Sequence, residues 1–307
     1  MNSLKNIKMA EKINKLITHN GSFHSDDVFA SAVFSILFEK RDQDFEIIRT
    51  RDEDVIASGD YVFDVGGVYD ENDNRFDHHQ VGGAGMRANG IEYASLGLVW
   101  KKFGKEICGS LKVADIIDKR LCAPIDAWDN GMDLVKSTHD TAPYFLQYIF
   151  FSMHPTWREE DINIDEIFSK AVKMATEILK REIVQAYDMV LAETEVEAVY
   201  DQTLDKRIIV LAKNYPFEFI LFNHPEPIFA VYPRKTGGSW GAKAIRSDLK
   251  TFNNRKDFPE AWAGKKGVEL QALTGVSDAV FCHRTGYMCT AESQEGAIKL
   301  AQIAVEL

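Results

Sequence analysis

The chain has 307 residues, of which 45% are hydrophobic and 27% charged, so it has the composition of a globular protein and room for two domains with buried cores. It contains no apolar run near the roughly 18 residues of a membrane span, and its N-terminus lacks an apolar signal core, so we expect a cytoplasmic protein without a membrane partner. The four cysteines form no CxxC pair, which argues against a disulfide framework or a zinc knuckle.

The acidic charge is concentrated in the first part of the chain. From Thr194 onward there are 14 basic and 14 acidic residues, so the net charge of −11 falls on the residues before it. Between residues 234 and 266, nine basic residues stand against three acidic ones. An acidic half beside a basic segment suits a metal site that faces an anion-binding surface, and a solvated lysine-rich loop is an equal alternative.

Strand and helix patterns alternate in the first part of the chain. Short apolar runs at residues 15–19, 45–50 and 61–67 predict strands. Apolar positions at residues 28–37 follow helical spacing, and residues 92–104 form a helix pattern that a glycine ends. Because the strands alternate with helices, we predict the α/β fold class, with a mostly parallel sheet flanked by helices.

The second part of the chain has a different pattern. A long amphipathic stretch at residues 161–191 predicts a connecting helix, and residues 293–305 form a closing helix pattern. Between them the runs VEAVY, RIIVLA, FEFILF and IFAVYP are strand-like. We therefore expect three parts: a catalytic domain over residues 1–160, a connecting helix over 161–193, and a smaller α+β domain over 194–307 with an antiparallel sheet.

Four polar clusters occur in the first 130 residues, at least two of them directly after strand patterns. Ligands of open α/β sheets bind at the carboxyl ends of the strands. Imidazole and carboxylate groups together suit Mn²⁺, and Zn²⁺, Co²⁺ or Fe²⁺ also fit, whereas Mg²⁺ prefers oxygen ligands. Taken singly, each cluster is also explained by a turn, a helix cap or a core histidine. The clusters are His19, His24 and Asp26; Asp64; Asp77, His78 and His79; and Asp126 and Asp129.

The number of candidate ligands exceeds what one ion needs. Two ions that share one carboxylate would use them, and such pairs lie about 3.5–4 Å apart in phosphoryl-transfer enzymes. The motifs THNGSFHSDD, DVGGVYD, RFDHHQ, YASLGLVW, DAWDNG and PTW resemble those of the melanocyte-proliferating-gene family of DHH-like metal-dependent exonucleases, within the DHH phosphoesterase superfamily. The closing segment VFCHRTGYMCTAESQEGAIKLAQIA also fits that family, so the resemblance covers nearly the whole chain.

The resemblance implies a role for each candidate residue. His79 would contact phosphate or act as a general acid, and Asp77 would orient the histidines. The superfamily usually has Asp where this chain has His24, which makes the first site softer. Asp129 competes with Asp126 for the fourth ligand position, and we prefer Asp126 because it follows the apolar run API. The implied ligands are His19, His24 and Asp64 for one ion, and Asp26, Asp64, His78 and Asp126 for the other, with Asp64 bridging.

The C-terminal part resembles the substrate-binding partner domain of the superfamily. There, a glycine-rich turn offers backbone amides to phosphate. The segment RKTGGSWGAKAIR has the residues for this, although a β-hairpin turn explains its glycines equally well, and His283 is as readily an ordinary histidine. The predicted substrate contacts are Arg234, Gly237, Gly238, Lys243, Arg246, His283 and Arg284.

These observations predict a two-metal-dependent phosphoesterase that binds two ions per chain, with Mn²⁺ favoured. The resemblance implies a 3′→5′ exonuclease on RNA or short single-stranded nucleic acid. A small-nucleotide phosphatase or pyrophosphatase of the same fold is an alternative, as is a non-catalytic metal- or nucleotide-binding module. The acidic balance argues against tight binding to long duplexes, which needs many phosphate contacts. We expect single-stranded RNA or DNA as partner, and the sequence leaves the oligomeric state open.

Overall fold

The computed structural model describes residues 12–235 and 237–307. The chain divides into an N-terminal unit, Met1–Ala186, and a C-terminal unit, Tyr187–Leu307. The division falls within the long helix Ile164–Gln202, which begins in one unit and ends in the other. The predicted domain boundaries at residues 160 and 193 stay predictions. Within the described ranges, we find no helix with the length and apolarity that a membrane crossing requires.

The N-terminal unit contains a five-stranded sheet with the order β2-β1-β3-β5-β4. Its first four strands in that order are parallel neighbours, and β4 pairs antiparallel with β5 at the edge. The carboxyl ends of β1, β3 and β5 therefore lie side by side at one end of the sheet. The strands are β1 (Asn14–Thr18), β2 (Phe45–Arg49), β3 (Tyr61–Phe63), β4 (Tyr69–Asp70) and β5 (Arg75–Phe76).

Helices cover both faces of this sheet, as the alternating pattern predicts. On one face Phe34 lies at the centre of an aromatic core, 5.3 Å from the ring of Phe63 and 5.7 Å from that of Phe103. On the other face Ile17 and Val62 pack against the α2 helix. The helices are α1 (Ser25–Arg41), α2 (Glu53–Ala57), α3 (Ser95–Cys108), α4 (Leu111–Ile117), a π-helical turn (Asp118–Cys122), α5 (Ala123–Asp129), α6 (Leu146–Phe151) and α7 (Ile164–Gln202).

The C-terminal unit has a second five-stranded sheet, ordered β6-β7-β8-β10-β9, in which only β6 and β7 are parallel. Phe229 and Val231 pack towards the closing helix, whereas Ala230 and Tyr232 pack towards α7, as the two-residue period of a strand requires. The elements are β6 (Ile208–Val210), α8 (Glu218–Phe222), β7 (Phe229–Pro233), β8 (Trp240–Ala244), a 3-10 turn (Glu260–Trp262), α9 (Gly267–Thr274), β9 (Ala279–Cys282), β10 (Met288–Ala291) and α10 (Gln294–Glu306).

Two of the predicted strands are helical. The run VEAVY belongs to α7, and FEFILF forms α8. Val196 and Tyr200 are both buried in one apolar cluster, and they lie four positions apart, which is the spacing of one helix face. The prediction was wrong because a short apolar run does not distinguish a strand from a buried helical turn.

Candidate metal centre

The strand ends of the N-terminal sheet bring three of the four polar clusters together. His19 follows β1 and Asp64 follows β3, and Nε2 of His19 lies 3.1 Å from Oδ2 of Asp64. His78, just beyond β5, places its Nε2 3.4 Å from Oδ1 of the same carboxylate. Asp64 has φ +56°, a left-handed conformation in which it leaves the strand sharply. Each oxygen of this one carboxylate thus faces a different histidine.

The start of α1 supplies two more carboxylates, one of which the sequence analysis missed. Asp26 and Asp27 are both fully buried. Oδ1 of Asp27 accepts a hydrogen bond of 2.9 Å from the backbone N–H of His24, while its Oδ2 lies 3.3 Å from Nε2 of His19. An acidic residue three positions after the N-cap is an ordinary capping feature. The sequence therefore offered no reason to expect that Asp27 also contacts His19.

Asp129 lies at the position in the cluster that the sequence analysis assigned to Asp126. Oδ2 of Asp129 is 3.2 Å from Nε2 of His78, and its Oδ1 is 3.6 Å from Nδ1 of His24. Both aspartates belong to α5, where a separation of three residues puts them on neighbouring parts of one face. The structure therefore places Asp129, rather than Asp126, beside the predicted ligands.

Asp126 instead forms a buried ionic network with Arg87. Nη2 of Arg87 lies 2.7 Å from Oδ2 of Asp126 and 2.8 Å from Oδ1 of Asp118. The backbone N–H of Gly97 donates to Oδ1 of Asp126 at 3.0 Å. A Cβ atom at Gly97 would lie 1.8 Å from Asp126, so this helical position requires glycine. Sequence reasoning missed Arg87, since an isolated arginine in a loop carries no recognisable signal.

The electrostatics of the cluster show how densely its carboxylates are packed. Burial, followed by repulsion from Asp64, raises the pKa of Asp26 well above its ordinary value. The same two causes raise the pKa of Asp27 to about 8. Burial also disfavours ionisation of Asp64, but its contacts with His19 and His78 outweigh this effect and lower its pKa. Ionisation of all these carboxyl groups together is therefore unfavourable unless further positive charge is present.

The pKa of His78 responds to the same carboxylates. Burial favours the neutral imidazole, but Asp129 and Asp64 outweigh it and raise the pKa of His78 to about 10. Its other ring nitrogen, Nδ1, lies 3.3 Å from Oδ1 of Asn130, which fixes the ring orientation. A positive charge is therefore strongly stabilised at this position, whether it comes from a proton or from a metal ion.

His79 and Asp77 form a separate pair at the rim of the cluster. Nδ1 of His79 lies 2.7 Å from Oδ1 of Asp77, and this hydrogen bond raises the pKa of His79. Asp77 is held in turn by the backbone N–H groups of Gly67 and His78, at 2.5 and 2.7 Å. The side chain of His79 is 62% exposed, so a positioned imidazole meets solvent beside the buried carboxylates.

A cleft of about 780 Å³ opens over the cluster. Its lining includes His19, His24, Asp64 and His79, together with Arg51. The side chain of His24 is 42% exposed, in contrast to the buried His19. The cleft therefore gives a substrate access to part of the cluster, including Asp64.

The residues fit divalent metal ions. Both carboxylate oxygens of Asp26 are buried without a hydrogen-bond partner in the described chain, and buried polar groups normally have one. The mixture of imidazole nitrogen and carboxylate oxygen suits ions such as Mn²⁺. Three groups in the described residues bring their ligand atoms within 4.8 Å of one another: His19, Asp27 and Asp64; His24, Asp26 and Asp129; and Asp64, Asp77, His78 and His79.

The predicted substrate contacts of the C-terminal unit lie mainly at one hairpin. Gly237 and Gly238, with φ +78° and +63°, form the turn between β7 and β8, which matches the hairpin alternative for these glycines. Arg234 closes this turn through a 2.9 Å backbone hydrogen bond to Ser239. Phosphate binding by these residues stays a prediction.

The basic side chains near this hairpin have different surroundings. Lys243 forms an ion pair with Glu218, whereas the guanidinium of Arg246 lies 5.1 Å from the ring centroid of Phe252. Nδ1 of His283 lies 2.9 Å from Oγ1 of Thr285. Arg284 lines a separate cleft of about 430 Å³.

Comparison with known proteins decides the family. A model of the MYG1 exonuclease family, described as "Uncharacterised protein family (UPF0160)", matches residues 15–305. The chain belongs to this family. MYG1 exonuclease of Homo sapiens is 28% identical to it over 93% of this chain and 84% of the human protein. The MYG1 protein YER156C of Saccharomyces cerevisiae is 28% identical over 99% of this chain and the full length of the yeast protein.

A relative of the MYG1 family outside the animals and fungi is similar to the same extent. The MYG1 protein of Dictyostelium discoideum is 28% identical over 93% of this chain and 94% of its own length. Among solved structures, RecJ from Thermus thermophilus in complex with Mn²⁺ aligns with a TM-score of 0.29 and 10% identity, over 95% of this chain and 52% of the RecJ chain.

Proposed function

We propose that this protein is a two-metal-dependent phosphoesterase that acts as a 3′→5′ exonuclease on RNA or short single-stranded nucleic acid. One observation carries the two-metal part: the two oxygens of the buried carboxylate of Asp64 face two different histidines, His19 and His78. A carboxylate between two sets of donors is suited to bridge two ions.

The distances within the cluster support one assignment of ligands to two ions. We assign His19, Asp27 and Asp64 to the first ion, since their ligand atoms lie within 4.8 Å of one another. His78, Asp64, the two side chains near Nε2 of His78, and His24 would hold the second ion, with Asp64 common to both sets. These side chains are Asp26 and Asp129, at 4.0 and 3.2 Å from Nε2.

Two bound divalent ions supply positive charge that neutralises the phosphoryl oxygens and activates water for attack. The chain's own residues provide the rest of the chemistry. Asp77 holds the proton-bearing Nδ1 of His79 and stabilises the imidazolium, which leaves Nε2 to donate a proton to the departing oxygen. A nucleophilic Ser or Cys is not needed for this reaction.

The substrate class rests on the family. Relatives in human, mouse, cattle and rat carry the name MYG1 exonuclease, and a nucleic-acid exonuclease cuts the phosphodiester bonds that such a centre is suited to hydrolyse. The cleft of about 780 Å³ has the size of a small-ligand site, which suits the end of a single strand better than a duplex.

The proposal is tested with one panel of substrates. The protein is incubated with Mn²⁺ and a 5′-labelled oligoribonucleotide, the matching oligodeoxyribonucleotide, a dinucleotide and pyrophosphate. We expect the oligonucleotides to shorten stepwise from the 3′ end. Asp64→Ala and His78→Ala should abolish turnover, while Asp54→Asn, an exposed acid on α2, should retain it.

The other outcomes separate the alternatives. Turnover of pyrophosphate or the dinucleotide alone would support a small-nucleotide phosphatase of the same fold. Binding of Mn²⁺ without turnover of any substrate would support a non-catalytic binding module. Turnover that survives Asp64→Ala would contradict the assignment of this cluster as the active site.

A further inference from the structure

A line of aromatic side chains begins at the rim of the metal centre. The ring of His24 lies 5.9 Å from that of Phe151, and Phe151 lies 5.5 Å from Trp128. Trp128 is 6.4 Å from Tyr148, which is 5.5 Å from Tyr144. These are distances between ring centroids. We call Phe151, Trp128, Tyr148 and Tyr144 the aromatic strip.

The aromatic strip offers ring surface to solvent. Tyr144 is 71% exposed, and Tyr148 and Phe151 are 36% and 37% exposed. Each contact along the strip is tilted or edge-to-face, with interplanar angles from 59° to 83°, so the rings do not cover one another's faces by parallel stacking. A contiguous group of exposed aromatic rings beside a cleft is typical of a binding surface.

Buried residues of α6 hold the aromatic strip in place relative to the candidate metal centre. Gln147 is buried, and its Oε1 accepts a hydrogen bond of 2.5 Å from the backbone N–H of Ser25, the first residue of α1. Phe150 is fully buried and lies edge-to-face against Phe29, 5.9 Å away. Because α1 also carries Asp26, the strip and the candidate ligands are held by the same helix.

We propose that the aromatic strip is a stacking subsite for the nucleobases of a single-stranded substrate whose scissile phosphate lies at the metal centre. The inference rests on the proposed function and extends it to substrate selection. Continuity with His24 indicates a ligand that reaches the centre, which a remote protein partner does not need to do. Stacking uses the uncharged face of a base, so it operates in a strongly acidic half of a chain, where phosphate contacts are unfavourable.

The subsite predicts which substrates are bound well. Every nucleobase has a face that can stack, so the strip tolerates any sequence but requires a base. An oligonucleotide that lacks bases near its 3′ end keeps its phosphates and loses only this interaction. Pyrophosphate makes no use of the strip at all.

The test measures the binding of two variants to each of two oligonucleotides. Binding is measured by fluorescence anisotropy with Mn²⁺ present, using a 5′-labelled oligoribonucleotide with cleavage-resistant phosphorothioate linkages and a counterpart with abasic 3′ nucleotides. Tyr144→Ala and Tyr148→Ala should each weaken binding of the normal oligonucleotide by about 5- to 100-fold, as expected for one lost stacking contact. Both should leave binding of the abasic counterpart unchanged.

Two controls distinguish stacking from a general structural effect. Tyr148→Phe keeps the ring and should bind like the wild type. Trp157→Ala removes another exposed aromatic ring of the N-terminal unit, 91% exposed and in contact with Arg158, and should also bind like the wild type. Thermal unfolding of each variant establishes that it is folded.

The outcomes for the strip and for the exonuclease are separable. Cleavage by the wild type with unchanged binding in both alanine variants would overturn the stacking subsite and leave the proposed function standing. Base-dependent binding without cleavage would support the subsite and overturn the exonuclease. Absence of both binding and cleavage would overturn both. A change in oligomeric state of the alanine variants, with oligonucleotide binding unchanged, would assign the strip to self-association and overturn the inference.

Discussion

Nε2 of His78 lies 3.2 Å from Oδ2 of Asp129, so a residue two positions beyond β5 meets the last residue of α5 inside the cluster. This contact gives the cluster a carboxylate from α5. It also leaves Asp126, on the preceding turn, to pair with Arg87. The two aspartates of one helix therefore have different tasks, which separate variants can distinguish.

Asp129→Asn should impair metal binding and turnover, whereas Asp126→Asn should impair stability. Loss of Asp129 removes a proposed ligand, so we expect Mn²⁺ affinity and turnover to fall by at least about tenfold, with little loss of stability. Loss of the Asp126 charge leaves Arg87 buried with one partner fewer, so we expect about 2 kcal/mol of destabilisation with metal binding retained. Calorimetric metal titration and denaturant unfolding measure both effects. The reverse result would restore Asp126 as the fourth ligand.

Asp26→Asn should stabilise the metal-free protein. Neither oxygen of Asp26, both of which are buried, has a hydrogen-bond partner among the described residues, and burial raises the pKa of this carboxyl. At neutral pH the folded state therefore carries an unfavourable carboxyl group that the unfolded state ionises freely. We expect the wild type to gain thermal stability when Mn²⁺ is added and to lose it with a chelator. The metal-free Asp26→Asn variant should unfold at a higher temperature than the metal-free wild type. Addition of Mn²⁺ should raise its unfolding temperature much less. A less stable metal-free variant would contradict the unfavourable role of this carboxylate.

His79→Gln should separate proton transfer from metal binding. The exposed His79 is oriented by Asp77, and general acid catalysis contributes about 10²- to 10⁴-fold to a rate, so we expect kcat to fall within that range. The midpoint for Mn²⁺ stabilisation should stay close to that of the wild type. A loss of metal binding equal to that of His78→Ala would instead make His79 a ligand.

Arg246→Ala should weaken oligonucleotide binding more than Lys243→Ala. The ammonium of Lys243 is already paired with Glu218, whereas the guanidinium of Arg246 lies against the exposed ring of Phe252. Removal of a residue that contacts phosphate reduces the slope of log affinity against log salt concentration by about one. Lys265→Ala, whose ammonium pairs with Glu269, is the matched control. Equal effects of all three would indicate a general charge effect and no defined phosphate site.

Glu106→Gln should give a small, pH-dependent loss of stability. The hydrogen bond from Arg41 lowers the pKa of Glu106, and this pair joins α3 to α1. A lowered pKa stabilises the fold above the unfolded-state value near 4.5, and this contribution is lost as the pH falls below it. Because the glutamate side chain is 43% exposed, we expect only about 0.5 kcal/mol at pH 7 and no difference at pH 3. Unfolding midpoints of the variant and the wild type at the two pH values test this predicted loss of stability.

The sequence by itself determined the fold class, and it named most of the side chains that the structure brings close to Asp64. Apolar runs that end in or near His19 and Asp64 mark strand ends, and parallel pairing brings such ends together whatever the details of packing. That reasoning is local, so it succeeded for the first sheet. It failed for VEAVY and FEFILF, where a short apolar run carries no information about its period.

Only the tertiary structure decided which carboxylate of each pair meets which histidine. Asp126 and Asp129 lie on one face of α5, and Asp26 and Asp27 are neighbours at the start of α1, so their spacing does not decide between the members of a pair. The preference for Asp126 in the sequence analysis, and the choice of Asp26 alone, therefore had no structural basis. The rotation of each helix, set by contacts such as Phe150 with Phe29 and Asp126 with Arg87, turns Asp129 to His78 and Asp27 to His19. Such rotations depend on packing between distant segments, and no local pattern records them.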